Sequence, residues 1–454
     1  MHLLGAMSST NLLKTYQLQG DKLLLLLPKR QFVTYALFAL IAATLLYLLL
    51  LVDPTTTTPA SSPPSSSSTK PSSPAGPWTQ EEERSSSSAA AAAACDYSDG
   101  EWVPDPRPPL YNGTSCDAIK DGHSCAANGR ADTGYLHWRW QPRRCDLPAF
   151  SPAAFLRWLR NKHMAFVGDS LARNQAESLV CLLSSASPPE LLHSHGGDTR
   201  FRRWLFREHN ATVSIFWSPF LVDGVEKAEH AGGGGRYNRV FLDAADERWM
   251  SELGAIDAAV LSAGHWFRMP SVYHRGGAVV GCHGCAAELN HTETGFLGAF
   301  RDAVRRALAE AARRHGGGGG GERERLVAMA TLSPSHFEGD WDKGAPCPKK
   351  QPYRSGEKEL GFTEAEMRKI VVEAVDAANA AAAAASAAAG GGGGGARVRF
   401  AALDVTRLAN LRPDGHPGPY YMRKNPSAHN DCLHWCMPGP VDTFNQILLQ
   451  LVLR

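Results

Sequence analysis

The sequence has almost no excess charge. Lys and Arg number 47 against 45 Asp and Glu, which leaves +2 over 454 residues at pH 7. Without a basic surplus the chain lacks the electrostatic footprint of a nucleic-acid binder. Charge is missing altogether from Phe32 to Val52, where Leu, Ala, Ile, Phe and Val dominate. About 20 such residues span a bilayer. Lys29 and Arg30 stand just before the run, Lys14 and Lys22 further back, and Asp53 just after. By the positive-inside rule residues 1–31 are then a cytosolic tail, 32–52 a transmembrane anchor and the remainder luminal. The Pro/Thr-rich stretch after Asp53 offers no clear cleavage site, and the apolar run is too long for a usual signal core. The reading is therefore an uncleaved, single-pass type II signal-anchor. Residues 53–94 lack what a core needs: they are Pro, Ser and Thr rich and then Ala rich. They read as a disordered luminal stem holding the rest off the membrane.

What is present after the stem is of another texture. The chain holds ten cysteines, an even number. Together with the anchor they indicate an oxidising compartment and disulfides. Cys95, Cys116, Cys125 and Cys145 sit among Trp102, Tyr111, Trp138 and Trp140, with much Pro and Gly and little periodicity. Residues 95–150 read as a small disulfide-stapled subdomain packed on the main body. Its aromatics suit its own core first and sugar stacking second. Three sequons, at Asn112, Asn210 and Asn290, are compatible with N-glycosylation in the lumen. Anchor, cysteines and sequons agree on the secretory pathway, with the Golgi membrane as the expected location.

From 151 to 454 apolar strands alternate with helical patterns. Met164–Val167, Thr212–Trp217, Asp257–Leu261, Leu326–Ala330 and Val398–Leu403 read as strands. Phe155–Lys162, Leu171–Leu183, Phe296–Ala312 and Thr363–Ala378 read as helices, the last with Thr363 and Glu366 fitting a capping box. Such alternation implies an α/β domain with an open, mainly parallel sheet covered on both faces, whose sites lie at the carboxyl ends of strands. Gly232–Gly235, Gly316–Gly321 and the Ala/Gly run 379–395 interrupt it as surface inserts, although the alanines are also able to prolong the preceding helix.

Two segments carry chemistry. In MAFVGDSLARNQAESLVC a strand ends in Gly168-Asp169-Ser170 at the start of a helix. Unpaired N–H groups and the helix dipole favour negative charge there, the setting an acyl-transfer nucleophile needs. Asp and Ser are also ordinary N-cap residues, so the triplet equally suits a plain helix start. Near the C-terminus Asp431 and His434 are three apart, close enough for the carboxylate to hold the imidazole Nδ1–H. Nε2 is then free to take and return the Ser170 proton. Ser170 early and Asp-x-x-His late in an α/β chain is the combination of a Ser-His-Asp triad.

At this point the chain resembles a known family. GEWVPDPRPPLYNGTSC, GRADTGYLHWRWQPRRCDLPAF, MAFVGDSLARNQAESLVC, LSAGHWF, RPDGHPGPYYM and NDCLHWCMPGPVDTFNQILL are similar to motifs of the plant trichome-birefringence-like (PC-esterase) proteins. These are polysaccharide O-acetyltransferases of GDSL/SGNH-like fold. The resemblance covers about 95–454, and SAGHWF, GCHGC and NDCLHWCMPGP look most like the branch acting on xyloglucan and mannan. It implies an SGNH-hydrolase-like three-layer α/β/α sandwich and a triad of Ser170, Asp431 and His434. It also implies transfer of acetyl through an acetyl-serine to hydroxyls of a hemicellulose, xyloglucan first, mannan or glucomannan second. No bound cofactor is implied; an acetyl donor is, acetyl-CoA or another carrier, with a donor transporter as possible partner. The oxyanion is expected to be met by the Ser170 N–H with Arg173, Asn174 or Gly264 helping. His265, Trp266 and Trp435 are candidates to line the acceptor groove, and equally candidates for packing. The resemblance pairs Cys95–Cys145, Cys116–Cys181, Cys125–Cys436 and Cys347–Cys432, leaving Cys282–Cys285 as a local bridge. A zinc site at Cys282 and Cys285 would need two further ligands, so no metal is expected. Acetyl esterase and non-catalytic wall-polymer binder are the alternatives that the residues leave open.

Overall fold

The computed structural model describes residues 95–195, 198–229, 236–316, 324–388, 398–423, 425 and 428–454. The expected tail, anchor and stem (1–94) and most of the glycine inserts lie outside the described residues. In chain order the elements are β1 (Gly100–Pro104), β2 (Trp138–Pro142), α1 (Pro152–Leu159), β3 (His163–Gly168) and α2 (Ser170–Ser184). Then come β4 (Glu190–His195), β5 (Asp198–Phe206), β6 (Ala211–Trp217), β7 (Val222–Glu229) and β8 (Arg236–Ala245). After β9 (Ala258–Ser262), β10 (Ser271–Arg275) and β11 (Ala278–His283) follow α3 (Leu297–Gly316), β12 (Arg325–Ala330), α4 (Phe362–Ala388), β13 (Val398–Leu403) and α5 (Pro440–Val452).

Seven strands form the central sheet in the order β13-β12-β9-β3-β6-β5-β4. The first five run parallel, and the β4–β5 hairpin closes one edge antiparallel. Strand residues alternate between faces, so β3 sends Met164 and Phe166 into one core and Ala165 and Val167 into the other. The first core is roofed by α1, α2 and α5 and the second by α3 and α4, which gives the α/β/α layering. A site at the end of β3 is thus reached only from the strand ends.

Local deviations have local causes. α1 starts before Phe155, because Ser151 caps Ala154 N–H at 3.2 Å and Pro152 occupies the first turn, and it stops at Leu159. α4 begins at Phe362, which puts Thr363 inside the helix rather than at its cap. Its alanine-rich tail does extend the helix, to Ala388. Among the described residues α4 is the helix long and apolar enough to cross a membrane, yet Met367, Ile370, Val371, Ala374 and Val375 are buried in the sheet-facing core. A second sheet, β11-β10-β8-β7, was not anticipated from the sequence.

The N-terminal subdomain shares the first core through Tyr97, Trp102 and Trp140. Trp102 and Trp140 meet edge-on at 5.6 Å, and their indole N–H groups donate to Leu408 O and Tyr97 O. These two tryptophans are core, not sugar platforms. All five cysteine pairs occur as the resemblance implies. Asn112, Asn210 and Asn290 are all exposed.

Candidate active site

The Gly-Asp-Ser turn is shaped by close approach of β9. Gly168 has φ +152°, and a Cβ there would lie 1.7 Å from Ser262 O, so only glycine fits. Asp169 N–H donates to Ser262 O at 3.2 Å, and the Asp169 carboxylate caps α2 by accepting Leu171 N–H at 2.9 Å. Asp169 is therefore the N-cap, and Ser170 is the first helical residue, half-buried at the carboxyl end of the central strand. Burial pushes the Asp169 carboxyl up to about 6, against the opposing influence of the Leu171 N–H and of His434.

Asp431 and His434 sit in an irregular loop that needs other means of support. Asp431 forms an isolated bridge with Gly418, exchanging bonds of 2.7 and 3.1 Å. Cys432 is tied to Cys347 and Cys436 to Cys125, one bridge two residues to each side of His434. Asp431 accepts the N–H groups of Leu433 (3.0 Å) and His434 (2.9 Å) on one oxygen and His434 Nδ1 at 2.8 Å on the other. Burial works to raise the Asp431 carboxyl, but the imidazole and these donors hold it far below the usual carboxylate range. The carboxylate thus stays ionised and keeps the Nδ1–H tautomer, leaving Nε2 as the proton acceptor. His434 Nε2 is buried and has no hydrogen-bond partner among the described residues.

Asn174, one turn beyond Ser170, joins the two halves. Its Oδ1 accepts Trp435 N–H at 2.9 Å and its Nδ2 donates to Trp435 O at 3.2 Å. The helix headed by Ser170 is thereby clamped to the residue after His434. The amide is fully buried and committed to this clamp, so Asn174 does not serve as an oxyanion donor.

The remaining expected site residues take different places. Arg173 is 6% exposed, bonded to Thr199 Oγ1 at 3.2 Å and 3.9 Å from Glu177, so it too is engaged away from an oxyanion. Gly264 is packed so that a Cβ would meet Leu332 at 2.7 Å; its glycine serves close packing at the end of β9. His265 is a strand-end packing residue: its Nε2 bonds Ser333 O at 2.9 Å, and burial pulls it down to about 4. Trp435 is wholly buried, stacked 4.2 Å from His416 with its Nε1–H on Ser333 Oγ. It is unable to stack on a glycan. Trp266 remains partly exposed beside Trp217 and lines a groove.

Two residues escaped sequence reasoning. His123, from the N-terminal subdomain, is fully buried and stacks on His434 at 4.8 Å and 26°. Burial draws it down to about 4, only partly countered by Glu177, so it faces the His434 ring neutral. Glu177, also fully buried, lies 3.6 Å from Arg202 and 3.7 Å from His123 and accepts Lys120 N–H at 3.2 Å. Neither carries a local signal, because both matter only through contacts between distant segments. His123, Asp431 and His434 do offer ligand atoms close together. The Asp431 carboxylate is, however, already engaged by His434 Nδ1 and by the N–H groups of Leu433 and His434. At Cys282 and Cys285, next to Glu293, both sulfurs are bonded to each other.

Comparison with known proteins identifies relatives of the chain. Residues 147–451 match the GDSL/SGNH-like acyl-esterase family (PC-esterase) found in Pmr5 and Cas1p, and residues 93–146 match the PMR5 N-terminal domain. The chain is 52% identical over 366 residues to xyloglucan O-acetyltransferase 2 of Populus trichocarpa, covering 79% of this chain and 82% of that one. It is 46% identical to xyloglucan O-acetyltransferase 1 of Arabidopsis thaliana, covering 79% and 80%. It is 38% identical to protein trichome birefringence-like 25 of the same plant, covering 79% and 77%. The family match covers more than half of the chain, and the chain belongs to the PC-esterase family.

Proposed function

We propose that the protein is a polysaccharide O-acetyltransferase that moves acetyl groups onto hydroxyls of xyloglucan, with Ser170, His434 and Asp431 as its triad. The observation that carries this reading is the Asp431–His434 pair at 2.8 Å with a buried, unpartnered Nε2, clamped through Asn174 to the helix that Ser170 heads. The named relatives supply the acceptor class.

In the first half-reaction Ser170 Oγ attacks the acetyl carbonyl of the donor while its proton passes to His434 Nε2. The carbonyl carbon–leaving group bond then breaks, and the leaving group takes that proton. In the second, a sugar hydroxyl gives its proton to His434 and attacks the acetyl-serine, and Ser170 leaves reprotonated. Asp431 holds the imidazole and stabilises the imidazolium of each step. The Ser170 backbone N–H, unpaired at the helix start, meets the oxyanion, and one such donor is worth about 3–4 kcal/mol. The chain itself supplies every group in this scheme; the donor carrier is a substrate. The same reading places the enzyme in the Golgi membrane as a type II protein, the catalytic domain luminal and supplied by a donor transporter.

The test is acetyl transfer by the full-length chain in detergent, with an acetyl donor and an oligosaccharide panel, mapped by mass. Acetylated xyloglucan fragments are expected, and Ser170→Ala should lower their formation by about 10⁶-fold. Donor hydrolysis without transfer would make the protein an esterase, and acetylation unchanged in Ser170→Ala would remove the triad.

A further inference from the structure

Beside the Ser170 turn runs a groove of about 590 Å³ lined by Arg173, Arg200, Trp217, Lys227, Arg248 and Trp266. Trp217 is the register partner of Gly168 on β6, and Trp266 follows the end of β9 on the other flank of β3. Arg173 is three residues past Ser170 on α2. The groove therefore opens at the carboxyl end of the strand that presents the nucleophile.

Its chemistry does not suit a neutral glycan. Stacking a sugar needs an open indole face. Here cations stand over those faces: Arg173 and Arg200 at 5.8 and 5.4 Å from Trp217, and Lys227 at 5.8 Å from Trp266. The Trp217 edge meets Trp266 at 5.8 Å and 89°, closing the pair further. Glu226 is the acid lining the groove, and it accepts the Trp217 indole N–H. Arg248 is matched by the buried Asp246 at 2.8 Å and Arg173 faces the buried Glu177 at 3.9 Å. Lys227 and Arg200 are the exposed cations of the rim.

Lys227 is also held there at a conformational cost. It has φ +49°, a region that L side chains rarely adopt, at the irregularity where β7 slips register against β8 between Val225 and Ala228. Asn238 Oδ1 fixes the turn by accepting Lys227 N–H at 3.1 Å. A bulge that re-aims a side chain next to an active site is a recurring functional device.

We propose that this groove holds the anionic carrier of the acetyl donor, a phosphate-bearing acyl compound, with Lys227 and Arg200 on its phosphates and its acetyl carbonyl delivered to Ser170. This rests on the acetyltransferase reading above. The glycan and an acetyl ester are both uncharged, so the donor's carrier is the reactant for which the exposed Lys227 and Arg200 have a use. Charge-assisted contacts to phosphate are the strong kind.

The full-length chain is assayed with acetyl-CoA, acetyl phosphate and acetyl-pantetheine, the last a thioester without phosphate. Wild type should favour one of the two phosphate-bearing donors, which also tells a nucleotide carrier from a simple acyl phosphate. Lys227→Gln and Arg200→Gln should each raise KM for that donor about tenfold. They should leave KM for the oligosaccharide and the rate with acetyl-pantetheine unchanged, and Lys227→Arg should restore the donor KM. A rise in oligosaccharide KM instead would assign the groove to the acceptor. No change in either KM, or equal use of acetyl-pantetheine by wild type, would also overturn the proposal. Ser170→Ala run alongside separates this failure from failure of the triad, since it removes transfer from every donor if the catalytic reading holds.

Discussion

Two regions flank the Ser170 turn and are built in opposite ways. The loop 431–436 has almost no regular structure, yet Asp431, Cys432, Trp435 and Cys436 are all buried. The β7–β8 ladder is regular by comparison, yet its outer side chains are exposed and its register slips twice. Order in the first comes from covalent and polar cross-ties to distant segments, and order in the second from a backbone ladder anchored through Val222, Val240 and Leu242 in the second core. Position of a proton acceptor demands the first kind of support. Holding a long, charged ligand tolerates the second.

That contrast is breakable, beginning with the charge that steers the imidazole. Asp431→Asn keeps the shape but loses the anion, and should lower acetyl transfer about 10⁴-fold in kcat, measured on xyloglucan oligosaccharides. Next come the bridges. Cys125–Cys436 spans 311 residues of sequence and Cys282–Cys285 spans 3. Replacing the first pair by serine should cost about 2–5 kcal/mol in chemical unfolding and take activity with it. Replacing the second should change either little, because the loop it closes is short. Asn174→Ala should cost about 1–3 kcal/mol by leaving the buried Trp435 N–H and O unpaired. It should also lower kcat, with KM for both substrates nearly kept, because the clamp positions and binds nothing.

A separate expectation is a pH slope. Burial draws His123, His163, His265, His315 and His336 down to about 4, against about 6.5 in an unfolded chain. As pH falls from about 6.5 to about 4 the unfolded chain takes up protons that the folded one refuses, so stability falls through that window. Asp169 and Asp442, raised to about 6 by burial, act in the opposite sense but are fewer. A series of thermal midpoints should therefore decline on acidification, and a flat series would mean that these imidazoles are not neutral in the folded state.

Periodicity located β3, β6, β9, β12 and β13 within a residue or so, because parallel core strands are continuous apolar runs. The second sheet was not legible, since β7 alternates exposed and half-buried positions around Gly224 and Lys227 and has no apolar face to read. The Thr363 cap failed because Gly361 and Phe362 had already started the helix. At the site, Ser170, Asp431 and His434 stood in recognisable segments, whereas Asn174 had to be reassigned from oxyanion helper to clamp, and Trp435 and His265 took the packing role that the sequence had left open. Their side chains are ambiguous alone: an amide beside a helix start serves an oxyanion or a backbone equally well until its neighbours are known.

The sequence by itself determined the alternation of strand and helix, the Gly-Asp-Ser turn and the Asp-x-x-His pair, because each depends on residues within one turn or one strand. Only the tertiary structure decided that His123 stacks on His434, that Asn174 ties Trp435 to the head of α2, and that cations cover Trp217 and Trp266. Those contacts join segments up to 311 residues apart, as the Cys125–Cys436 bridge does, and no local pattern encodes which distant surface a side chain will meet.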